Sequence, residues 1–101
     1  MSKRLVYLRR AQLDLLGMVA YIRRDSPAQA DRWLDQAGRI LSRLRAFPMS
    51  GFVPKDRRLA ASGYRVVVLG DHLAFYVIRR NTVQVRRVLH GKRRYSFLLR
   101  D

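Results

Sequence analysis

The residues best suited to chemistry lie near the end of this sequence, where a histidine stands between two pairs of arginines. His90 follows Arg86-Arg87 and precedes Arg93-Arg94. Histidine titrates near neutral pH and can act as a general acid or base, and arginine binds phosphate oxygens. Two interpretations stay open. Either this group handles a phosphate, or His90 is a structural histidine bonded to backbone and the arginines form a solvated face.

The composition argues against several other chemistries. The chain has no cysteine, which excludes disulfides, thiolate catalysis and cysteine-ligated zinc. His72 and His90 have no third ligand in a recognisable pattern, so we expect no metal site. The sequence contains no phosphate-binding glycine loop, nucleophile elbow, paired-carboxylate site or dinucleotide motif, and we expect no cofactor.

The charge balance indicates the kind of partner. Lysine and arginine number 22 against 7 acidic residues, all aspartate, for a net charge of +15. Genomic codon bias is an equally good explanation of the arginine excess, but the resulting field attracts polyanions in either case. We expect nucleic acid, a ribonucleoprotein or an acidic protein as partner. Without a long apolar run or a signal peptide, the chain is expected to be cytoplasmic, with no membrane association.

Two helices must position these residues. Apolar side chains at helical spacing predict helices over residues 11–24 and 26–46. Ser26 is the expected N-cap of the second helix, with Pro27 at its first position, and Pro48 ends the helix by residue 47. The expected apolar stripe of the first helix excludes Asp14 and consists of Leu13, Leu16, Val19, Ala20 and Ile22.

The second half of the chain has the two-residue period of β-strands. Turns at Gly70-Asp71 and Arg80-Asn81 predict an antiparallel meander, whose strands are Tyr64–Leu69, His72–Arg79 and Thr82–His90. A short strand over 4–8, a loop over 49–63 and a C-terminal tail or short helix over 92–99 complete the chain. The predicted fold class is α+β, a two-helix hairpin packed on a small, mainly antiparallel sheet.

This arrangement predicts which side chains form the core and where one of two neighbouring arginines must point. We expect these side chains to meet between hairpin and sheet: Leu16, Val19, Trp33, Ala37, Ile40 and Leu44 above Val66 or Val67, Phe75, Val77 and Val83 or Val85. Arg86 and Arg87 are neighbours on one strand and should point to opposite faces. One of them therefore approaches the helices, so its charge must reach the rim of the fold or a partner such as Asp14 or Asp35.

Four short motifs, in this order, resemble the RelE/ParE superfamily of toxins. They are FPMSG at 47–51, GYRV at 63–66, HLAFY at 72–76 and RVLHGKR at 87–93. The resemblance extends over nearly the whole chain and is closest to the ParE branch. It implies one toxin domain over residues 1–101, the growth-inhibiting half of a bacterial type II toxin–antitoxin pair. A small cognate antitoxin with an acidic toxin-binding segment would neutralise it, and operator DNA would be contacted only through that antitoxin.

The branch decides the chemistry. RelE-like members are ribosome-dependent mRNA endonucleases with a basic residue on the central strand, where this chain has Leu73. ParE-like members lack the catalytic residues of the nucleases, and the characterised ones inhibit DNA gyrase. The resemblance therefore favours a gyrase inhibitor, with an mRNA endonuclease as the alternative, so enzymatic activity stays open. If the protein is a nuclease, the residues implied are Arg65, His90, Arg93 and Tyr95.

The same resemblance suggests two binding surfaces. The residues expected to bind the target are Arg87, His90, Lys92, Arg93 and Arg94. Those expected to bind the antitoxin are Arg39, Arg43, Arg79 and Arg86. A plain nucleic-acid-binding module is a third reading, which charge alone motivates, because the sequence shows no recognition helix.

Overall fold

A computed structural model describes residues 2–91 of the chain. The elements follow in the order β1 (Arg4–Tyr7), α1 (Arg9–Asp25), α2 (Pro27–Ser42), α3 (Arg57–Ala61), β2 (Tyr64–Leu69), β3 (His72–Arg79) and β4 (Thr82–His90). The strands form one sheet in the order β1-β4-β3-β2, with β1 parallel to β4 and the other pairs antiparallel. The α+β prediction and all three meander strands are confirmed. The predicted tail over 92–99 lies outside the described residues.

The helix boundaries follow from local capping. The Gln29 backbone N–H donates to Ser26 Oγ at 3.2 Å, and Pro27 is the first residue of α2. The second helix ends at Ser42, earlier than predicted, and the chain continues as a 3-10 turn over Arg43–Arg45. Within residues 2–91, no helix is both long and apolar enough to cross a membrane.

Helix α3 lies within the segment predicted to be a loop. Asp56 is its N-cap, and its Oδ1 accepts hydrogen bonds from the backbone N–H groups of Arg58 (2.9 Å) and Leu59 (3.2 Å). The chain then turns at Gly63, whose positive φ of 86° favours glycine. Five residues are too few to produce an apolar period, so only the cap signals this helix.

Both faces of the sheet are covered, which corrects the predicted core. Ala37, Leu41 and Leu44 of the hairpin pack on Tyr76, Val83 and Val85, with Trp33 and Ile40 partly buried beside them. Phe75 and Val77, predicted to lie beneath the helices, form a second cluster with Tyr64, Val66 and Leu59 of α3. Alternation shows that two faces exist, but the packed helix decides which face a given side chain occupies.

The predicted apolar stripe of α1 was wrong in part. Leu13 and Leu16 are 54% and 65% exposed, whereas Ala11 is fully buried and Leu15 and Met18 pack against the core. The helix is rotated so that Asp14 faces the sheet, because that carboxylate has a partner there. The buried stripe of α1 is instead Ala11, Leu15 and Met18, and Asp14 lies beside it.

A β-bulge separates the two neighbouring arginines of β4. Phe75 pairs with Arg87 but Tyr76 pairs with Val85, so Arg86 is the extra residue. The Arg86 guanidinium lies 5.8 Å from the centre of the Tyr64 ring, whereas Arg87 reaches Asp14 on α1. The expectation that one of these arginines finds Asp14 is confirmed.

Candidate functional site

The Asp14–Arg87 pair organises the exposed end of β4. Arg87 Nε donates to Asp14 Oδ2 at 2.8 Å, and its Nη2 donates to Oδ1 at 3.1 Å. The side chains are 13% and 15% exposed. The Val88 backbone N–H also donates to Asp14 Oδ2, at 2.9 Å. Strand β1 pairs with β4 only as far as Val85. Asp14 therefore supplies the acceptor that a longer β1 would have offered, and Arg87 has a structural task.

A groove of about 880 Å³ lies beside this pair, between α1, the start of α2 and the end of the sheet. Its walls are mostly apolar and aromatic, and they include Leu13, Met18, Tyr21, Ile22, Trp33, His72, Val88 and His90. The His72 ring contacts the rings of Trp33 and His90 edge-on, with 5.9 Å and 5.3 Å between the ring centres. His90 therefore lies in an aromatic setting, and it is itself exposed.

The electrostatics of this groove disfavour a positive charge on His72. Burial lowers the pKa of the His72 imidazole below 6.5, the neighbouring His90 lowers it further, and Asp71 partly opposes both. A neutral His72 can pack edge-on against Trp33 without the cost of desolvating an ion. Among residues 2–91, no cluster of three or more histidines and carboxylates could hold a metal ion.

Arg65 is bound to backbone. Its Nε donates to the Gly51 carbonyl at 3.2 Å and its Nη2 donates to the Met49 carbonyl at 2.9 Å. The paired residue on β3, Tyr76, donates its hydroxyl to the Pro48 carbonyl at 2.6 Å and accepts from the Gly51 N–H at 3.0 Å. The two side chains together hold the segment Pro48–Gly51 against the sheet.

The nuclease candidates within the described residues are not brought together. Arg65 pairs with Tyr76, whereas His90 pairs with His72, which in turn pairs with Leu69. Positions 65 and 69 are four residues apart on β2, which corresponds to about 13 Å along a strand. Arg93 and Tyr95 lie outside the described residues.

Apolar side chains surround the position of the missing central-strand arginine. Leu73 pairs with Val68 on one side and with Leu89 on the other. Leu73 packs against the core cluster on the sheet face that α3 covers, and Leu89 belongs to that cluster. This row across three strands offers neither a proton nor a positive charge to a phosphate.

The expected antitoxin-binding arginines occupy separate surfaces. Arg39 and Arg43 are exposed, one turn apart at the end of α2. Arg79 is at the end of β3, with its Nη2 3.5 Å from the Ser62 carbonyl, and Arg86 lies over Tyr64. Of the expected target-binding residues, only Arg87 and His90 are among the described ones; Lys92, Arg93 and Arg94 are not.

An exposed apolar surface lies on the hairpin, and it includes Leu16, which was predicted to be buried. Leu16 and Leu34 are 65% and 43% exposed, and they line a second groove, of about 400 Å³, between α1 and α2. Leu13 and Tyr21 extend the same kind of surface at the larger groove. The available signal was an excess of apolar residues around α1, more than one buried stripe can hold.

Comparison with known proteins identifies the class of this fold and site. A model of the ParE toxin of the type II toxin–antitoxin system parDE matches residues 5–95. The fold is similar to that of a chain from the chromosomal ParDE toxin–antitoxin system of P. aeruginosa, with a TM-score of 0.72 and 18% identity over 88% of this chain and 96% of that one. No curated protein matches the sequence.

The chain belongs to the ParE toxin family. It is the toxin component of a type II toxin–antitoxin module, and its partner is a cognate antitoxin. The predicted resemblance to the RelE/ParE superfamily, closest to ParE, is confirmed.

Proposed function

We propose that this toxin inhibits DNA gyrase and does not cleave mRNA on the ribosome. The apolar row Val68–Leu73–Leu89 carries the proposal, because it occupies the place where the nuclease branch carries a basic residue. Inhibition of gyrase is the activity of the characterised ParE-like proteins that this chain resembles. It needs a binding surface and no proton transfer by the toxin.

The state of Arg65 supports the same choice. Its guanidinium is hydrogen-bonded to two carbonyls, and releasing it would also release the segment it holds. Moving the guanidinium away would leave both carbonyls without this charged donor.

The target surface is assigned to the end of β4 and the residues after it. His90 is exposed there, and the positive residues Lys92, Arg93 and Arg94 follow it in the sequence. Arg87 acts through Asp14 by holding the end of β4 against α1. We infer that His90 contacts the target directly and that Arg87 positions it.

The antitoxin is assigned to the exposed face of the helix hairpin. Leu16 and Leu34 offer anchor points in the groove between α1 and α2, and Arg39 and Arg43 stand at the end of the same hairpin. An acidic amphipathic segment would bury its apolar side chains in this groove and pair with the arginines. Operator DNA would be recognised through the antitoxin, in a complex located in the cytoplasm.

The experiment compares the two targets with one preparation of purified toxin. We expect loss of gyrase supercoiling, and no cleavage of mRNA by translating ribosomes above the level without toxin. His90→Ala should weaken the effect on gyrase, whereas His72→Ala tests whether the neighbouring ring has the same importance. Cleavage in the ribosomal A site that His90→Ala or Arg93→Ala abolishes would overturn the proposal.

A further inference from the structure

Five positively charged residues lie at the end of the sheet opposite to His90, held near one another mainly through backbone groups. Lys3 donates its Nζ to the Arg80 carbonyl at 2.8 Å, and the Arg4 N–H donates to the Asn81 carbonyl at 2.8 Å. Arg45 closes the group, since the Lys3 N–H donates to its carbonyl at 2.8 Å and its Nε donates to the Lys3 carbonyl at 3.3 Å. We call this group the basic pole; its members are Lys3, Arg4, Arg45, Arg79 and Arg80.

The surroundings of the basic pole are polar and lack acidic groups. Within the described part of the chain, no aspartate makes an ion pair with any of the five side chains. The neighbours that contact them, Ser62, Asn81 and Thr82, are small hydrogen-bonding residues. None of the exposed large apolar side chains is among these neighbours.

Arg80 has a backbone conformation that arginine rarely adopts. Its φ is +52°, and it is the one non-glycine residue with positive φ among those described. Asparagine or glycine suits this position of a two-residue hairpin better, so the arginine side chain costs some stability. A strained residue at the tip of a hairpin, held by Lys3, indicates that the charge itself is useful there.

We propose that the basic pole binds the phosphate backbone of duplex DNA. Arginine forks with neighbouring hydroxyl and amide groups are the usual partners of phosphate oxygens, and such contacts position a protein without reading sequence. This binding therefore needs no recognition helix, and the choice of operator stays with the antitoxin. The inference is independent of gyrase, because DNA alone is the ligand.

An acidic protein segment is the competing occupant, and the polar character of the surface favours DNA over it. Protein segments gain most of their affinity from apolar and aromatic anchors in pockets. On this molecule, most exposed large apolar side chains lie on the hairpin grooves or around Phe52 and Val68; Phe47, two residues after Arg45, lines a separate pocket with Ile40 and Val67. A surface of charges and small polar groups matches the chemistry of a sugar–phosphate chain.

The test is fluorescence anisotropy of a labelled short DNA duplex with the full chain and two charge-matched triple variants. The first variant, Arg4→Gln/Arg45→Gln/Arg80→Asn, removes three charges from the basic pole. The control, Arg24→Gln/Arg32→Gln/Arg57→Gln, removes three exposed charges from the helices. A circular-dichroism melt checks that both are folded, and Arg80→Asn should relieve the strain at this position.

We expect the variant of the basic pole to bind roughly tenfold more weakly, with a salt dependence reduced by about three counterions, while the control changes little. Equal weakening of both variants would show that attraction is spread over the whole surface and would overturn the proposal. Weakened binding of an acidic antitoxin segment with unchanged DNA binding would also overturn it, since the basic pole would then be a protein-binding site.

Discussion

At the scale of single residues, one carboxylate determines how the first helix sits. Asp14 accepts two hydrogen bonds from Arg87 and one from the Val88 N–H at the unpaired edge of β4. A buried ion pair adds little net stability when complete, but removal of one partner leaves the other charge uncompensated. Asp14 is therefore among the most sensitive positions in the chain.

Asp14→Ala is expected to lower the free energy of unfolding by about 3–5 kcal/mol. Asp31→Ala is the control, since its contact with Arg23 at 3.6 Å is largely exposed and should matter by less than about 1 kcal/mol. Urea denaturation of both variants measures the difference. Equal losses would show that the pair on β4 is no more important than a surface contact.

A second residue-scale prediction concerns acid. Burial in the folded protein holds the pKa of His72 below its ordinary value, so the unfolded chain binds the proton more readily. Stability should fall as the pH drops from about 7 to about 5, as proton linkage requires. His72→Gln should flatten this dependence, and His90→Gln should reduce it by removing a repulsion. A urea midpoint that falls as steeply in His72→Gln as in the parent would contradict the assignment.

At the scale of elements, the segment Pro48–Gly51 is held by two side chains of the sheet. Gly51 is buried, and a Cβ placed on it would lie 2.7 Å from the Val66 carbonyl oxygen and 2.5 Å from the Tyr76 hydroxyl. The next residue, Phe52, forms an antiparallel β-bridge with Val66 and so covers the edge of β2. The close approach of two backbones, and not a special φ, requires glycine here.

Gly51→Ala should therefore destabilise the protein, by about 1–3 kcal/mol. Gly38→Ala is its matched control, because a Cβ at that α2 position meets no atom within 4 Å. In a helix interior the same change should stabilise by roughly 0.5–1 kcal/mol. Opposite shifts of the thermal midpoint in the two variants are the expected result. A neutral Gly51→Ala would mean that the segment is loosely held.

At the scale of the whole molecule, the net charge of +15 and the exposed leucines of the hairpin describe different parts of binding. Charge acts over the distance of a Debye length and speeds encounter, whereas apolar anchors slow dissociation. The fold places exposed arginines of α2 next to the groove that holds those anchors. Association with an acidic antitoxin should reflect both.

We expect the association rate with the product of the adjacent reading frame to fall several-fold from low to physiological salt, with a smaller change in dissociation. Arg39→Gln/Arg43→Gln should reduce this salt dependence, whereas Leu16→Ala/Leu34→Ala should mainly accelerate dissociation. Surface plasmon resonance at two ionic strengths separates the effects. An association rate that does not change with salt would show that charge does not speed association.

The sequence alone determined what depends on neighbours along the chain. The cap at Ser26, the turns at Gly70 and Arg80 and the bounds of the three meander strands follow from turn chemistry and alternation, which act over a few residues. The net charge and the similarity to ParE toxins likewise need no coordinates. For the same reason, a helix as short as α3 left only its Asp56 cap as a signal.

The tertiary structure decided everything that depends on which groups meet across the chain. Apolarity alone could not tell that Leu16 is exposed and Ala11 buried, since Asp14 and Arg87, 73 positions apart, set the rotation of α1. It could not place Phe75 on the face that α3 covers. Nor could it show that Arg65 is held by backbone carbonyls and lies far from His90. Burial and pairing are long-range properties, and a local pattern is compatible with more than one of their outcomes.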